Sequence, residues 1–350
     1  MLPFLLSFLI AVCSAPLVIY WYKRYNWIDD PEIKHLAKTT HATAVPRGGG
    51  LVVFLAILIS IIVLLPLDQQ LIGILSGAAL LTLVGILDDI FDLNPLLRLG
   101  TGIFAALLVV GSGIGIAYVT NPFGAGVIHL NQPQIIFEFL GSGRTIWIVA
   151  DLFAIVFIVW NMNIVNWSKG VDGQLPGFVS ISAIMIALLS NRFLDDPTQF
   201  GAATIAFIVA GAFAGLLIWN FYPQKIMPGY GAGSLAGYFL AVLAILSGAK
   251  LATTLMVLAI PTADAIFTIA RRLKAGKSPF WGDRGHLHHK LMDVLGWGRR
   301  RIAVFYWLSS LSLGVLSLYL PTMGKIITIG ITTSLVFIFL IWAKQKQEKT

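Results

Sequence analysis

The chain is 350 residues long, with 57% hydrophobic and only 11% charged residues and a mean hydropathy of +0.86; soluble globular domains carry about 25% charged residues. That composition excludes a water-soluble globule and makes a lipid bilayer the solvent of this fold. The formal charge of +8 then belongs with anionic headgroups or phosphorylated substrates, and no nucleic-acid partner is expected.

A bilayer span needs about 20 mainly apolar residues. Such runs are predicted at 3–22, 50–66, 71–87, 101–120, 145–162, 177–190, 200–219, 234–248, 251–270, 302–320 and 324–343. Lipid cannot satisfy an open backbone, so all are expected to be helices. The fold class is therefore an all-α polytopic membrane protein, a bundle of about 10–11 transmembrane helices, with residues 1–350 forming one integral membrane domain. The first run resembles a signal peptide at Ala11 to Ala15. It lacks a basic leading region, stays apolar to Tyr22 and is followed by Lys23 and Arg24, which fits an uncleaved anchor better. Threading eleven spans from an outside amino end puts 20 of the 24 Lys and Arg residues inside, with Arg144, Arg192, Lys250 and Lys325 outside. This is the positive-inside bias, and it predicts a plasma (inner) membrane protein with a cytoplasmic carboxyl end. Cys13 stands alone inside the first span, which leaves no disulfide framework and no cysteine metal site. The outside loop 121–144 has a weak hairpin pattern around Asn131 and Pro133, and no chemistry is assigned to it.

Five polar clusters interrupt the apolar background, and the threading places all five on the cytoplasmic face. Lys38, His41 and Pro46-Arg47-Gly48-Gly49-Gly50 form a basic loop whose glycines let backbone amides approach a phosphate, or else a membrane-surface turn anchored by Arg47. Asp88, Asp89 and Asp92 end the third span; at i,i+3 and i,i+4 spacing the three carboxylates are predicted to converge. Like charges this close call for a cation, a shared proton or full solvation, and Mg²⁺ suits a site of one or two carboxylates plus substrate phosphates. The alternative is a solvated helix end.

At the inner mouth of the fifth span, Asn161, Asn163, Asn166, Lys169, Gly170, Asp172 and Gly173 supply amide donors and acceptors suited to a nucleobase or sugar, or cap a Gly-rich turn. Pro223 to Ser234, with Lys225 and three glycines, is a glycine loop leading into the eighth span, in which Ser234 is expected to cap the helix toward an anion, unless the glycines serve packing alone. The fifth cluster is the sharpest: Arg271, Arg272, Asp283, Arg284, His286, His288 and His289. With no cysteine near, the histidines fit a pyrophosphate better than zinc, arginine offering a planar fork and protonated imidazole a mobile charge. Asp264, within the ninth span, is expected to contact Arg271 or its loop.

In this order the clusters resemble the polyprenyl-phosphate N-acetylhexosamine-1-phosphate transferases of glycosyltransferase family 4, which include the enterobacterial antigen and teichoic-acid initiating enzymes and, more distantly, the muramoyl-pentapeptide translocase. The resemblance covers roughly residues 20–295. It rests on His41 to Gly49, Asp88-Asp89, Asn163 and Asn166 with Gly170 and Asp172-Gly173, and PFxxDRxHxHH from Pro279 to His289. It implies attack of polyprenyl phosphate on the sugar-linked phosphorus of a UDP-amino sugar, releasing UMP, at an early step of cell-wall or surface-glycan synthesis. It implies Mg²⁺, with Mn²⁺ as the alternative, membrane lipids around the bundle, and room for a homodimer. By resemblance Asp88 is the base or direct partner of the lipid phosphate and Asp89 a helper at the metal; Lys38, His41 and Arg47 receive the lipid phosphate. Asn166 and Asp172 meet the nucleotide, with Asn163 and Lys169 as further substrate-binding candidates, and Arg284, His286, His288 and His289 grip its diphosphate or the sugar. Asp89, Asp92 and Asp172 are the metal candidates.

The chain departs from the family pattern twice. Lys169 stands where the pattern NxxNxxDGxDG has an acid, and the glycine loop reads PGYGAGS where the family has MGDxGS with a metal-binding acid, so that Tyr230 or Gly231 takes the acid's place. Either Asp92 or Asp172 supplies the missing charge, or Lys169 does part of the metal's electrostatic work. Two other readings stay open: a non-catalytic binder of nucleotide sugar or lipid phosphate, and a transporter, which the one-sided clustering disfavours.

Overall fold

The computed structural model describes residues 1–31, 43–121, 124, 126–139, 142–193, 197–248, 251–279 and 283–348. In chain order the elements are α1 (Leu2–Arg24), β1 (Ile28–Asp29), β2 (Val45–Pro46), α2 (Gly49–Leu64), α3 (Gln69–Phe91), α4 (Pro95–Gly111), β3 (Tyr118–Thr120), β4 (Val127–His129), β5 (Gln134–Phe139), β6 (Ser142–Trp147), α5 (Ile148–Trp167), α6 (Gln174–Ser190), α7 (Pro197–Asn220), α8 (Gly229–Leu246), α9 (Leu251–Val257), α10 (Ala259–Lys274), α11 (Leu287–Leu295), α12 (Arg299–Tyr319) and α13 (Thr322–Gln347). Among the described residues seven helices are long and apolar enough to cross a bilayer, or eight if the bent pair α9–α10 counts as one span, and α2, α4 and α6 are shorter apolar helices. Each of the eleven predicted runs contains a helix, although the fourth, 101–120, is helical only to Gly111 and ends in β3, and the chain is an all-α integral membrane protein.

Local chemistry sets the helix ends. Asp68 accepts the Leu71 amide at 2.8 Å and starts α3. Asn94 accepts the Leu96 amide at 2.8 Å with Pro95 at the first helical position, so α4 begins earlier than its apolar run. The predicted ninth span is not one straight helix. It bends by 77° between α9 and α10, because Pro261 has no amide to give the Val257 carbonyl, which instead accepts the Ser310 hydroxyl at 3.1 Å. The loop before α5 forms two hairpins, β3–β4 and β5–β6, rather than one around Asn131 and Pro133.

Every residue of α8 from Gly229 to Ile245 is buried, as a helix apolar on all sides must be. Its glycines admit the neighbours. A Cβ on Gly50 would lie 2.7 Å from the Gly231 Cα, one on Gly85 2.6 Å from the same atom, and one on Gly237 2.2 Å from the Asn161 carbonyl. Backbone thus meets backbone where α2, α3 and α5 cross α8. Gly50→Val should force α2 off α8 at an overpacking cost of about 1–3 kcal/mol, read as a lower unfolding temperature in detergent.

α1 packs along α7, where a Cβ on Gly211 or Gly215 would meet the Phe4 and Phe8 carbonyls at 2.2 and 2.6 Å. It is therefore an integral part of the bundle. The carboxyl ends of α1, α3, α5, α7 and α10 gather with the amino ends of α2, α4, α6, α8 and α12 at one end of the molecule, and the polar clusters lie there.

Candidate active site

Asp88 and Asp89 are buried, 2% and 8% exposed, at the carboxyl end of α3. The predicted convergence of three carboxylates does not occur. Successive helical residues project about 100° apart, so the neighbours take different partners. Both Asp88 oxygens face Arg98 Nη1, at 3.1 and 3.3 Å, and Oδ1 also accepts the Leu93 amide. Asp89 accepts the Tyr22 hydroxyl at 3.2 Å from α1. Asp92 caps α3 in the left-handed conformation, φ 49°, which turns it out of the helix to pair with Arg47 at 2.7 Å.

Three cations surround the buried acids. The short β1–β2 pairing holds Arg47 between Asp92 and Asp29, the latter at 3.8 Å. Arg98 lies over the Tyr230 ring, 5.4 Å from its centroid, while the Tyr230 hydroxyl donates to the Arg98 carbonyl at 3.0 Å. Lys169 donates to Asn166 Oδ1 at 2.7 Å and to the Gly229 carbonyl at 2.5 Å. Burial pulls the Lys169 ammonium down to about 7, opposed by Asp88. Gly229 must be glycine: its φ is +62°, and a Cβ there would meet the Arg47 carbonyl at 2.4 Å and Asp89 Oδ1 at 2.8 Å. Ser234 does not cap α8; its hydroxyl bonds back to the Tyr230 carbonyl at 2.7 Å.

The amide cluster divides. Asn166 serves Lys169, whereas the Asn163 amide donates to Val159 in its own helix. Asp172, 1% exposed, accepts the Gln224 amide at 3.3 Å and faces Arg299 at 3.6 Å, on the side of α7 and α12. Asp89, Asp92 and Asp172 are therefore not brought together as metal ligands, and among the described residues no three His, Cys, Asp or Glu groups gather to hold a metal ion. The three acids named as metal candidates therefore do not form one shared site for the Mg²⁺ or Mn²⁺ that the resemblance implies.

The histidine cluster is built on α10. Asp264, Thr268, Arg271 and Arg272 share a helical stripe. Asp264 Oδ2 bonds His286 Nδ1 at 2.9 Å and Oδ1 accepts the Leu287 amide at 2.8 Å, so a remote carboxylate starts α11. Arg271 and Arg272 both hold Asp283, at 2.7 and 3.0 Å. Arg272 also stacks 5.7 Å from the Trp167 ring centroid, and its Nη2 lies 3.5 Å from His286 Nε2. The rings of His286 and His288 stack at 5.7 Å, and His289 follows at 4.3 Å. A Cβ on Gly170 would lie 1.9 Å from His288 Nε2, so only glycine lets the fifth cluster meet the third. Burial lowers His288 well below the usual imidazole range and His289 to about 4, with Arg284 adding to the latter. Both are neutral at pH 7, not the mobile positive charges expected. The Nδ1 atoms of His288 and His289 are buried without a hydrogen-bond partner in the described structure, as are Asp89 Oδ1 and Asp172 Oδ1; such orphans mark where a ligand's groups belong. Arg284, predicted to grip a diphosphate, instead makes a two-point pair with Asp293 at 2.8 and 2.9 Å.

Lys38 and His41 lie outside the described residues. Tyr22 and Arg98 complete the site with no signal in the sequence; Tyr230 stands there as the residue in the missing acid's place, and Arg272 of the fifth cluster joins through its i,i+8 spacing from Asp264 on the amphipathic α10.

A family model described as Glycosyl transferase family 4 matches residues 71–248. The chain is 28% identical over 315 residues to a decaprenyl-phosphate N-acetylglucosaminephosphotransferase of Mycobacterium leprae, covering 80% of this chain and 75% of that one. It is 24% identical over 357 residues to a probable undecaprenyl-phosphate N-acetylglucosaminyl 1-phosphate transferase of Bacillus subtilis (99% and 91% covered). It is 27% identical over 330 residues to a phospho-N-acetylmuramoyl-pentapeptide-transferase of Bacillus licheniformis (90% and 96% covered).

Proposed function

The chain belongs to glycosyl transferase family 4, and on that premise we propose that it transfers a sugar 1-phosphate, N-acetylhexosamine 1-phosphate by preference, from a UDP-sugar to polyprenyl phosphate. The observation that carries this reading is the buried Asp88–Asp89 pair bracketed by Arg47, Arg98 and Lys169 at the rim of an apolar bundle. Such a site brings two anions together and neutralises the charge that gathers between them. An oxygen of the lipid phosphate bonds to the sugar-linked phosphorus. The bond from that phosphorus to the bridging oxygen breaks, and UMP leaves with the electron pair. Where the lipid phosphate arrives carrying a proton, Asp88 accepts it. Exposed Leu87, Phe91, Leu96 and Leu97 border the pair and give the prenyl tail a path to lipid. His286, His288 and His289, presented beside Gly170 and Trp167, face the nucleotide diphosphate or sugar as hydrogen-bonding groups, His288 and His289 in the neutral form. The basic end of the bundle is the cytoplasmic one, with the amino terminus outside.

The test is UMP release by purified protein given UDP-N-acetylglucosamine and polyprenyl phosphate: lipid-dependent release is expected, and saturable UDP-sugar binding without turnover would make the chain a binder instead. In the same assay Tyr230→Phe keeps the ring beneath Arg98 but loses the bond to its carbonyl. Turnover should fall by about 3- to 10-fold, the worth of one hydrogen bond, and Tyr230→Ala should fall further.

A further inference from the structure

The two places where this chain departs from its family pattern are joined in space. Lys169, the residue standing at an acid's position, reaches into the glycine loop that lacks its acid and bonds the carbonyl of Gly229 at 2.5 Å, with Asn166 Oδ1 at 2.7 Å as its second acceptor. The same Gly229 presents its α-carbon side to Asp89: a Cβ there would lie 2.8 Å from Asp89 Oδ1. The ammonium and the carboxylate therefore flank one residue, and Asp89 Oδ1 is buried with no hydrogen-bond partner in the described structure. An ammonium has three donors and no acceptor; two are engaged, and one remains for an incoming oxygen. Lys169 also feels both Asp88 and Asp89 electrostatically, so it sits in the field where a cation between carboxylate and diphosphate is needed. No group of three acidic or histidine ligands competes for that place among the described residues.

We propose that the Lys169 ammonium is the resident cation of this site, covalently tethered, which offsets the Asp88–Asp89 charge and receives a diphosphate oxygen of the nucleotide sugar, so that transfer runs without a divalent metal. This rests on the transferase reading and deepens it. The geometry explains why both departures occur in one chain: a lysine beside a retained loop acid would be locked in a salt bridge, and a lone acid loss would leave the site short of positive charge. Paired, they exchange two acidic positions of the family pattern for a single protein-borne charge, acting as a point charge on phosphate as lysine commonly does. The pull of burial on Lys169 has a consequence for this role, since an arriving phosphate dianion restores the full charge of the ammonium at the moment it is needed.

Three measurements on the full chain in detergent or nanodiscs test this. First, Mn²⁺ titrated into the protein and followed by electron paramagnetic resonance should show no stoichiometric site, whereas Lys169→Asp, which gathers a third carboxylate beside Asp88 and Asp89, should bind one ion. Second, UMP release should persist within about 2-fold in EDTA, less than one hydrogen bond's worth. Third, Lys169→Met should lose at least about 10-fold in turnover with no recovery on adding Mg²⁺, as removing a positioned charge on phosphate costs; retention of the wild-type elution profile and unfolding temperature shows that the loss is not one of folding. One tight Mn²⁺ per wild-type chain, or activity abolished by EDTA and restored by Mg²⁺, overturns the proposal. Should UMP release be absent with every UDP-sugar, the transferase reading fails, and the Mn²⁺ titration still decides the proposal about the cation.

Discussion

Asp88→Asn abolishes lipid-dependent UMP release, by about 10³-fold, the scale of losing a positioned general base, while UDP binding stays within about 2-fold of wild type, below one hydrogen bond's worth. The substitution is isosteric, so the Leu93 amide keeps its acceptor, while Arg98 loses the charge and the second of the two oxygens it faces. What disappears is the anionic oxygen that receives the lipid phosphate's proton or directs its attack, an interaction made in the transition state and not in the bound nucleotide. Asp89→Asn is the contrast. Asp89 faces Tyr22 and the Gly229 turn, so its loss should act on binding of the diphosphate and raise KM. Wild-type turnover by Asp88→Asn would remove this residue from the reaction altogether.

The second large effect is expected at Asp264, which touches no substrate. It holds His286 through Oδ2 and the first amide of α11 through Oδ1. Asp264→Asn retains an acceptor for the amide but has no anion for the imidazole. The ring is then free to take the other tautomer or to turn away from Arg272, and the stacked His288 follows it. A broken buried pair of this kind costs about 2–5 kcal/mol, and about 10²-fold in kcat/KM for the UDP-sugar is expected, with KM for polyprenyl phosphate unmoved. A purely structural role would depress both substrates equally, and that outcome would demote Asp264 to a residue of the fold. Asp264→Glu, which can regain the imidazole contact by a rotamer change, should recover part of the loss.

The bundle was readable in advance wherever one physical rule dominated. Apolar length forced the helices, and the skew of Lys and Arg grouped the polar clusters at one end. It failed where two rules met. The run 251–270 is apolar enough to cross, yet Pro261 breaks it, and the piece that follows is an amphipathic helix whose polar stripe carries Asp264 and Arg272. The triad Asp88, Asp89 and Asp92 has helical spacing, yet α3 stops at Phe91, so Asp92 leaves the face its number assigns it.

What the sequence by itself determined is therefore the solvent, the helical class and the inventory of charged groups, because a bilayer punishes unsatisfied backbone and stranded charge so heavily that few arrangements survive. What only the tertiary structure decided is who meets whom. Tyr22 and Asp89 are 67 positions apart and Lys169 and Gly229 are 60 apart, distances over which no local propensity speaks. They meet because Gly50, Gly85, Gly231 and Gly237 let four helices close on one another to backbone contact, and that approach depends on the shapes of all four at once.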